Sequence, residues 1–381
     1  MRIGVPTETA LREARVALAP PSVARFTRAG IDVLVESAAG ERAFFTNDAY
    51  SEAGAEIAPD AASVYANADV IVKVAAPSAE ETESLRDGQI LIAVLQPLTS
   101  HDLVRGLVGR GVTSFSLDAI PRIARAQPMD VLSSQASVAG YKAAVLAADT
   151  LGKHLPMMTT AAGTMPPARG LVLGAGVAGL QAIATGRRLG AIMSAFDVRP
   201  AVKEQVESLG ATFIQDEELQ RAQAETAGGY AREQTEEERD RSQALVRRHV
   251  GASDFVITTA LVPGRPAPKL ITREMVEDMQ PGSVIVDLAA ETGGNCELTL
   301  PGEVINYRGV IINGPVNVPS SMPVHASLMF SRNVQSFLDL LIKDGEAVID
   351  MDDVILRDSL ITQGGEIVHE ATRDAMGAPA A

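Results

Sequence analysis

The sequence has few of the residues that hold metal ions or form disulfide frameworks. Its 381 residues include one cysteine, Cys296, and five histidines that stand singly along the chain. A lone cysteine cannot form a disulfide within the chain and offers no zinc cluster. Scattered histidines are more often ordinary surface or core residues than ligands. The sequence therefore predicts no metal site.

Basic residues are also in deficit, and long apolar runs are missing. The formal net charge of −15 argues against nucleic acid or an anionic membrane surface as the main partner. The longest apolar runs, such as residues 89–95, fall far short of the roughly 20 residues that a membrane helix needs. The amino terminus enters a strand-like run at once and lacks a signal-peptide pattern, so we expect a soluble, cytoplasmic protein.

Short β-rich runs alternate with helical patterns, which is typical of parallel sheets with helices on both faces. The first set of predicted strands comprises residues 1–5, 31–36, 69–74, 89–95 and 112–117, and the second comprises residues 171–173, 191–196, 255–259, 284–288 and 310–313. We predict an α/β fold of two doubly wound Rossmann-like domains with a deep cleft between them. Residues 1–134 and 322–381 would form the first domain, and residues 135–321 the second.

Helical and turn patterns complete this prediction. Pro20 and Pro21 fit the first turn of a helix that ends at Gly30. Longer helices are expected at residues 133–154, where many alanines form a small-residue face, and at residues 325–341. Gly364-Gly365 predicts a hairpin within residues 345–369, and residues 370–381 are expected to be frayed.

The second domain carries a dinucleotide-binding pattern, Gly174-Ala-Gly176-Val177-Ala-Gly179, between a strand and a helix. Gly174 allows the tight turn, Gly176 lets the backbone approach a pyrophosphate, and Gly179 lets helix and strand pack closely. The helix that begins there offers free N–H groups and its positive dipole end to phosphates. An ordinary strand-to-helix turn is the alternative.

Asp197 ends the next predicted strand, 18 residues after Gly179. A carboxylate there can accept hydrogen bonds from both ribose hydroxyls of an adenosine, which favours NAD. The nearby Arg199 could instead contact a 2′-phosphate, so the residues alone leave NADP open.

A long interruption between strands contains Glu225-Thr-Ala-Gly228-Gly229-Tyr230. The two glycines could absorb a hinge rotation while Tyr230 covers a bound ring, as in a closing lid. A solvated surface loop with one anchoring tyrosine is the alternative.

The run from Arg122 to Gln135 gathers a cation, two amides, a carboxylate and two hydroxyls. Such a set suggests a cofactor site without a conventional catalytic base. The alternative is structural, with Arg122, Asp130 and Ser133 forming a cap and salt bridge that hold the helix after them.

Taken together, several motifs give the chain a resemblance to the soluble NAD(H)-binding component of proton-translocating nicotinamide nucleotide transhydrogenase. The wider family includes alanine dehydrogenase. The resemblance covers nearly the whole chain and is carried by residues 122–135, 157–167, 174–179, 227–230, 258–261 and 287–295.

This resemblance implies direct hydride exchange between NAD(H) bound here and NADP(H) bound on a partner, coupled to proton movement through a separate membrane portion. It also implies a homodimer that docks the NADP(H)-binding domain of the transhydrogenase beta subunit. The chain would then be peripheral to the inner membrane through its partner subunits.

The resemblance also implies roles for individual residues. Arg122 would contact the cofactor near its nicotinamide, Asp130 and Ser133 would hold the ring and this loop, and Gln127 would reach the incoming NADP(H) ring. Pro128 stands where the resemblance leads us to expect serine. The remaining contacts would come from Val177 at the pyrophosphate, from Asp197, Val198 and Arg199 around the adenosine, and from Gly229, Tyr230, Gln243 and Leu261 around the pocket.

Two other functions are considered. In an alanine dehydrogenase, Arg15 and Lys73 would match positions that bind a substrate carboxylate and carbonyl, but Gln96 stands where a histidine acid or base would be. An amide cannot serve as that acid or base near neutral pH, so we expect Arg15 and Lys73 to pair with a carboxylate such as Glu8 or Glu13. A non-catalytic NAD-sensing subunit is the other alternative, and it would not need Gln127.

Overall fold

The structure, a computed structural model, describes residues 1–215, 235–262 and 264–377. The chain divides into two compact units, of which the first comprises Met1–Gln135 and Pro319–Ala381 and the second comprises Ala136–Val318. Each unit contains a mainly parallel sheet with helices, which confirms the predicted α/β class with Rossmann-like domains.

The main sheet of the first unit has the order β19-β18-β6-β5-β4-β1-β2-β3 among the described residues. Its strands are β1 (Arg2–Val5), β2 (Asp32–Glu36), β3 (Glu56–Ala58), β4 (Val70–Ala75), β5 (Ile90–Val94), β6 (Thr113–Ser116), β18 (Leu360–Gln363) and β19 (Glu366–Ile367). Strands β1 to β6 are parallel, whereas β18 and β19 join antiparallel at one edge. Because chain order reverses between β1 and β4, a crevice forms at their carboxyl ends.

Helices and apolar side chains cover both faces of this sheet. Alternate residues of one strand, such as Val70 and Ile71, belong to two different buried clusters, as expected when successive side chains point to opposite faces. The helices with residues in the first unit are α1 (Pro20–Arg28), α2 (Asn47–Glu52), α3 (Ala61–Asn67), α4 (Ala79–Ser84), α5 (His101–Gly109), α6 (Val131–Thr150, which continues into the second unit), α11 (Pro323–Leu341), α12 (Val354–Ser359) and α13 (Glu370–Met376).

The main sheet of the second unit has the order β11-β10-β9-β12-β13-β15-β14 in the described part of the chain. Its strands are β9 (Arg169–Leu173), β10 (Ile192–Phe196), β11 (Thr212–Phe213), β12 (Phe255–Thr258), β13 (Val284–Asp287), β14 (Val304–Tyr307) and β15 (Val310–Asn313). Only β14 pairs antiparallel among these described strands. Chain order reverses between β9 and β12, which places a second crevice at their carboxyl ends.

Four helices complete the described part of the second unit: α7 (Val177–Arg188), α8 (Lys203–Ser208), α9 (Glu236–Gly251) and α10 (Arg273–Glu277). Leu171 and Leu173 pack into one buried cluster and Val172 into another, so this sheet is also covered on both faces. Small two-stranded sheets are formed by β7 (Met158–Thr160) with β8 (Gly163–Met165), and by β16 (Ile342–Lys343) with β17 (Glu346–Ala347).

Comparison with the expectations shows where local patterns were sufficient. All ten predicted strands are present, and the hairpin at Gly364-Gly365 is confirmed. The expectation that residues 370–381 are frayed is wrong for 370–376, which form α13. Residues 378–381 lie outside the described residues. None of the described helices is long and apolar enough to cross a membrane.

Candidate functional site

The turn after β9 has the geometry that its glycines predict. Gly174 adopts φ +97°, which L side chains rarely adopt, and its carbonyl oxygen accepts a hydrogen bond of 2.8 Å from the Thr259 hydroxyl. A Cβ atom at Gly179 would lie 1.9 Å from the Gly174 carbonyl oxygen. Strand, turn and helix can therefore approach this closely only because both residues are glycine.

Gly176 is the N-cap of α7, and no side chain caps this helix end. A Cβ atom at Gly176 would have its nearest neighbour, Arg199 Nη2, at 4.0 Å. The space above the turn is therefore open, and Val177 beside it is 43% exposed. Backbone N–H groups and the positive end of the helix dipole favour an anion at such a turn. The residues present fit the pyrophosphate of a dinucleotide.

Asp197 follows β10 and joins the glycine turn to Arg199. Its Oδ2 atom accepts hydrogen bonds from the backbone N–H of Ala175 at 2.7 Å and from Arg199 Nη2 at 2.8 Å. Its Oδ1 atom accepts from the backbone N–H and Nε of Arg199 at 2.8 and 3.0 Å. Val198 packs against a buried cluster of the same unit. The Arg199 guanidinium thus pairs with Asp197 at the place where a ribose would be recognised.

A second set of polar contacts supports the residues after β12. The buried Asp287 carboxylate accepts hydrogen bonds from the Thr258 and Thr299 hydroxyls at 2.8 and 2.6 Å, and from two backbone N–H groups. The buried amide of Asn295 donates to the carbonyl oxygens of Ala260 and Pro268 and accepts from the Ala260 N–H. These contacts fix the backbone immediately before Leu261.

Asp287 and Asn295 lie in one of the motifs that carry the family resemblance, but the sequence predicted no role for either residue. A buried strand that ends in aspartate and is followed by Gly293-Gly294 was the available signal, since a buried charge needs several partners. Leu261 itself is 50% exposed, and Gln243 is partly buried on α9. Gly229, Tyr230 and the lid expected at residues 225–230 lie outside the described residues.

The segment with Arg122 and Gln127 belongs to the first unit, whereas the glycine turn belongs to the second. Residues Ala124–Met129 form a 3-10 helix in which Ala126 and Met129 are buried and Gln127 is exposed, and Arg122 before it is also exposed. The Asn333 amide donates to the Pro128 carbonyl oxygen at 2.7 Å. The segment is therefore anchored from below, with Arg122 and Gln127 at the surface.

Asp130 caps α6. Its carboxylate accepts from the Ser133 backbone N–H at 2.8 Å and from the Ser133 hydroxyl at 2.6 Å, as in a typical N-terminal cap. The cap considered as the structural alternative is therefore present, although Arg122 is not its partner in these two hydrogen bonds. Capping leaves one face of each carboxylate oxygen able to accept a further donor.

Lys73 and Arg15 are both paired with carboxylates of the first unit. The Lys73 ammonium lies 2.6 Å from Glu81 Oε1 and 3.4 Å from Glu8 Oε2, with all three side chains buried. Arg15 forms a 2.6 Å ion pair with Glu13 and donates to the Gln135 amide oxygen at 2.9 Å. The expected partners Glu8 and Glu13 are confirmed, and Glu81 is an additional one.

Acid–base and metal chemistry find little support at these positions. Gln96 is exposed and adopts φ +51° after β5, so an amide stands at the end of that strand. Burial raises the pKa of the Cys296 thiol to about 11, which keeps it in the unreactive protonated form. No group of three or more potential metal ligands occurs among the described residues.

Comparison with known proteins gives this geometry a family. Residues 4–139 match the model of the Alanine dehydrogenase/PNT N-terminal domain, and residues 143–370 match that of the Alanine dehydrogenase/PNT C-terminal domain. The chain belongs to the alanine dehydrogenase/PNT family. The resemblance inferred from the sequence motifs is therefore confirmed.

Within the alanine dehydrogenase/PNT family, the chain is 46% identical over 378 residues to the first of the separate alpha-subunit chains of Rhodospirillum rubrum NAD(P) transhydrogenase, covering 97% of this chain and 98% of that one. A solved structure of transhydrogenase from Sinorhizobium meliloti matches with a TM-score of 0.85 and 43% identity, covering 97% and 100% of the two chains. Alanine dehydrogenase of Mycobacterium tuberculosis is 30% identical over 386 residues, covering 100% and 98%.

Proposed function

We propose that this chain is the NAD(H)-binding component of a proton-translocating transhydrogenase, and that hydride passes directly from NADH on this chain to NADP⁺ on a partner polypeptide, giving NAD⁺ and NADPH. The observation that carries the proposal is the open, uncapped glycine turn joined to Asp197, in a chain 46% identical to a transhydrogenase alpha subunit. The second nucleotide site and the membrane portion would then lie on partner subunits.

The nicotinamide ring of the dinucleotide supplies the hydride donor or acceptor. Neither ring gains or loses a proton in the exchange, so the protein needs to position the rings and exclude water rather than to provide an acid or base. This requirement agrees with Gln96, an exposed amide, at the position where an alanine dehydrogenase would need a titratable group.

The chain's own residues divide this task. The N–H groups at the start of α7 would bind the pyrophosphate beside Val177, and Asp197 would accept hydrogen bonds from the adenosine ribose while Arg199 balances its charge. A 2′-phosphate would add negative charge beside Asp197, which favours NAD(H) over NADP(H) on this chain. Leu261, Gln243, Gly229 and Tyr230 stay proposed as residues of the pocket.

For the nicotinamide end, we propose the roles that the family pattern implies. Arg122 would contact the bound cofactor, Asp130 and Ser133 would fix the ring and their own loop, and Gln127 would contact the incoming NADP(H) ring. Anchoring of the 3-10 helix through Pro128 and Asn333 supports a positioning role, because Gln127 gains a fixed backbone. A homodimer docked to the beta subunit's NADP(H) domain, peripheral to the inner membrane, completes the proposal.

The test measures NADPH-driven reduction of an NAD⁺ analogue by the purified chain, with and without an NADP(H)-binding transhydrogenase domain. Activity is expected only with that domain. A parallel trial with alanine and NAD⁺ examines the alternative supported by the 30% identity to an alanine dehydrogenase. Turnover of alanine by the chain alone would contradict the proposal, and NADH binding without transfer to any partner would favour a sensing subunit.

Gln127→Asn examines the assigned role more closely. We expect NADH affinity close to that of the unmodified chain and much slower hydride transfer, because the shorter side chain keeps the amide but loses reach. Gln280→Asn is a matched control, since Gln280 is also exposed and also precedes a proline. Equal transfer rates in the two variants would refute the role of Gln127.

A further inference from the structure

The small-residue face of α6 contains a glycine within the second unit. Gly140 is buried, and Ala143, Ala144 and Ala147 follow it with at most 1% of their surface exposed. Spacings of three, four and seven residues place these four positions on one face of the helix. The alanines share a buried cluster with Ala175 and with residues of α7. This face therefore packs beside the glycine turn and its helix.

Gly140 differs from the alanines because it meets backbone. A Cβ atom at Gly140 would lie 2.0 Å from the carbonyl oxygen of Ala178, 2.7 Å from its carbonyl carbon and 2.9 Å from its Cα. A backbone carbonyl inside a helix cannot rotate aside as a side chain can. One methyl group at Gly140 would force α6 and α7 apart by about 1.4 Å before ordinary contact, which begins at 3.4 Å, is reached.

The contact lies at the first turn of α7, because Ala178 is the second residue of that helix. On another side, the same turn approaches the carbonyl oxygen of Gly174 through Gly179. Glycine contacts therefore fix the turn against α6 and against its own strand, while the space at Gly176 stays open. A shift of about 1.4 Å would move a hydrogen bond of normal length beyond the usual limit of roughly 3.2 Å.

We propose that Gly140 is a positioning residue for the pyrophosphate, holding the first-turn N–H groups of α7 where they bind the phosphates of the dinucleotide proposed above. The inference rests on that proposed function, and it gives a site residue outside the glycine pattern itself. Replacement of Gly140 by alanine would normally stabilise a helix interior. Here it should instead impair binding of the phosphate-bearing portion of the cofactor and leave recognition of adenosine unchanged.

The experiment compares ADP with adenosine as probes, using isothermal titration for ADP and ligand-detected NMR for adenosine. In Gly140→Ala we expect the Kd for ADP to rise on the order of 10- to 100-fold, the loss of one or two hydrogen bonds to a charged group. The Kd for adenosine should change less than about twofold. Partial unfolding weakens both apparent affinities equally, so the ratio of the two Kd values reports positioning even in a less stable variant, and sucrose can be added to favour the folded state.

Two glycine-to-alanine controls separate positioning from packing. Gly109→Ala, at the end of α5, has nothing within 4 Å and should change neither stability nor either Kd. Gly186→Ala, later in α7, meets the flexible Met193 side chain at 2.7 Å and should lower stability without changing the ratio. In hydride transfer with the partner domain, Gly140→Ala should raise KM for NADH and leave kcat nearly unchanged.

The outcomes separate this inference from the function on which it rests. An unchanged ratio of ADP to adenosine Kd in Gly140→Ala, when the unmodified chain binds both probes, would overturn the role of Gly140 alone. Failure of the unmodified chain to bind NADH or ADP would overturn the proposed function and this inference with it.

Discussion

Replacing Lys73 with methionine should destabilise the protein by about 3–5 kcal/mol at neutral pH, because it removes the cation from a buried group of charges. Lys73 is 1% exposed and lies 2.6 Å from one Glu81 oxygen and 3.4 Å from one Glu8 oxygen. Methionine keeps much of the length of the side chain and avoids a large cavity. The cost therefore comes from two buried carboxylates that are left without a cation.

The size of this effect should depend on pH. Burial raises the pKa of Glu8 despite the opposing charge of Lys73. Burial also acts upward on Glu81, but the charge and hydrogen bond of Lys73, with further donors, lower its pKa overall. Without Lys73, both carboxyls should have folded-state pKa values above their unfolded values. The destabilisation is then present above the unfolded pKa and is relieved as the pH falls and the carboxyls bind protons.

The magnitude of this relief follows from the cost of protonation. Neutralising a carboxyl of ordinary pKa, near 4.3, costs about 4 kcal/mol at pH 7 and about 2 kcal/mol at pH 5.5. The destabilisation by Lys73→Met should therefore shrink by about 2 kcal/mol between these pH values. Urea unfolding followed by circular dichroism, with the unmodified protein measured at each pH, gives both differences.

Lys153→Met is the matched control. Lys153 also lies 2.6 Å from a carboxylate, that of Asp254, but its side chain is 52% exposed. An exposed pair contributes less than about 1 kcal/mol, so this variant should lose little stability at either pH. A loss below about 1 kcal/mol in Lys73→Met, or a loss that does not depend on pH, would refute the reasoning. Adding Glu81→Gln to Lys73→Met should recover some of the lost stability.

Two further predictions concern the second unit. Asp197→Ala should weaken NADH binding by about 1–3 kcal/mol in a fluorescence titration, because it leaves polar groups of the turn and ribose without a partner, and tighter binding of NADPH than of NADH by the unmodified protein would contradict the assigned preference. Asn295→Ala should lower the free energy of unfolding by about 2–4 kcal/mol, since it removes three buried hydrogen bonds to Ala260 and Pro268. The exposed Asn306→Ala serves as its control, and an equal small effect in both would show that the amide contacts are not stabilising.

Much of the fold could be predicted because its signals are local. The buried parallel strands are short apolar runs, and the glycine turn requires backbone conformations that residue types reveal. α13 was missed because it has seven residues and no side-chain cap to mark its start. The antiparallel strand β14 was missed because it forms an edge of the sheet and alternates between exposed and partly buried residues, without a continuous apolar run.

The supports of the candidate site were less predictable, because they join residues that are distant in sequence. Asn333 anchors Pro128 across 205 positions, and Asn295 holds Ala260 across 35. Neither contact follows from periodicity or from a turn motif. Gly140 lies in a helix recognised by its alanines, but only the structure shows that it faces the backbone of Ala178. The roles assigned to the site residues stay predictions.

The order of the strands also constrains how the chain can fold during synthesis. β6 pairs with β18, and the Ser114 hydroxyl shares a hydrogen bond with Thr362, 248 positions later. The second unit is contiguous, so a ribosome releases all of it before the last strands of the first unit emerge. Until then, the β6 edge of the nascent sheet has no partner and can pair with other chains. Translation speed and chaperone access should therefore affect the yield of folded protein more through this late edge than through the glycine turn.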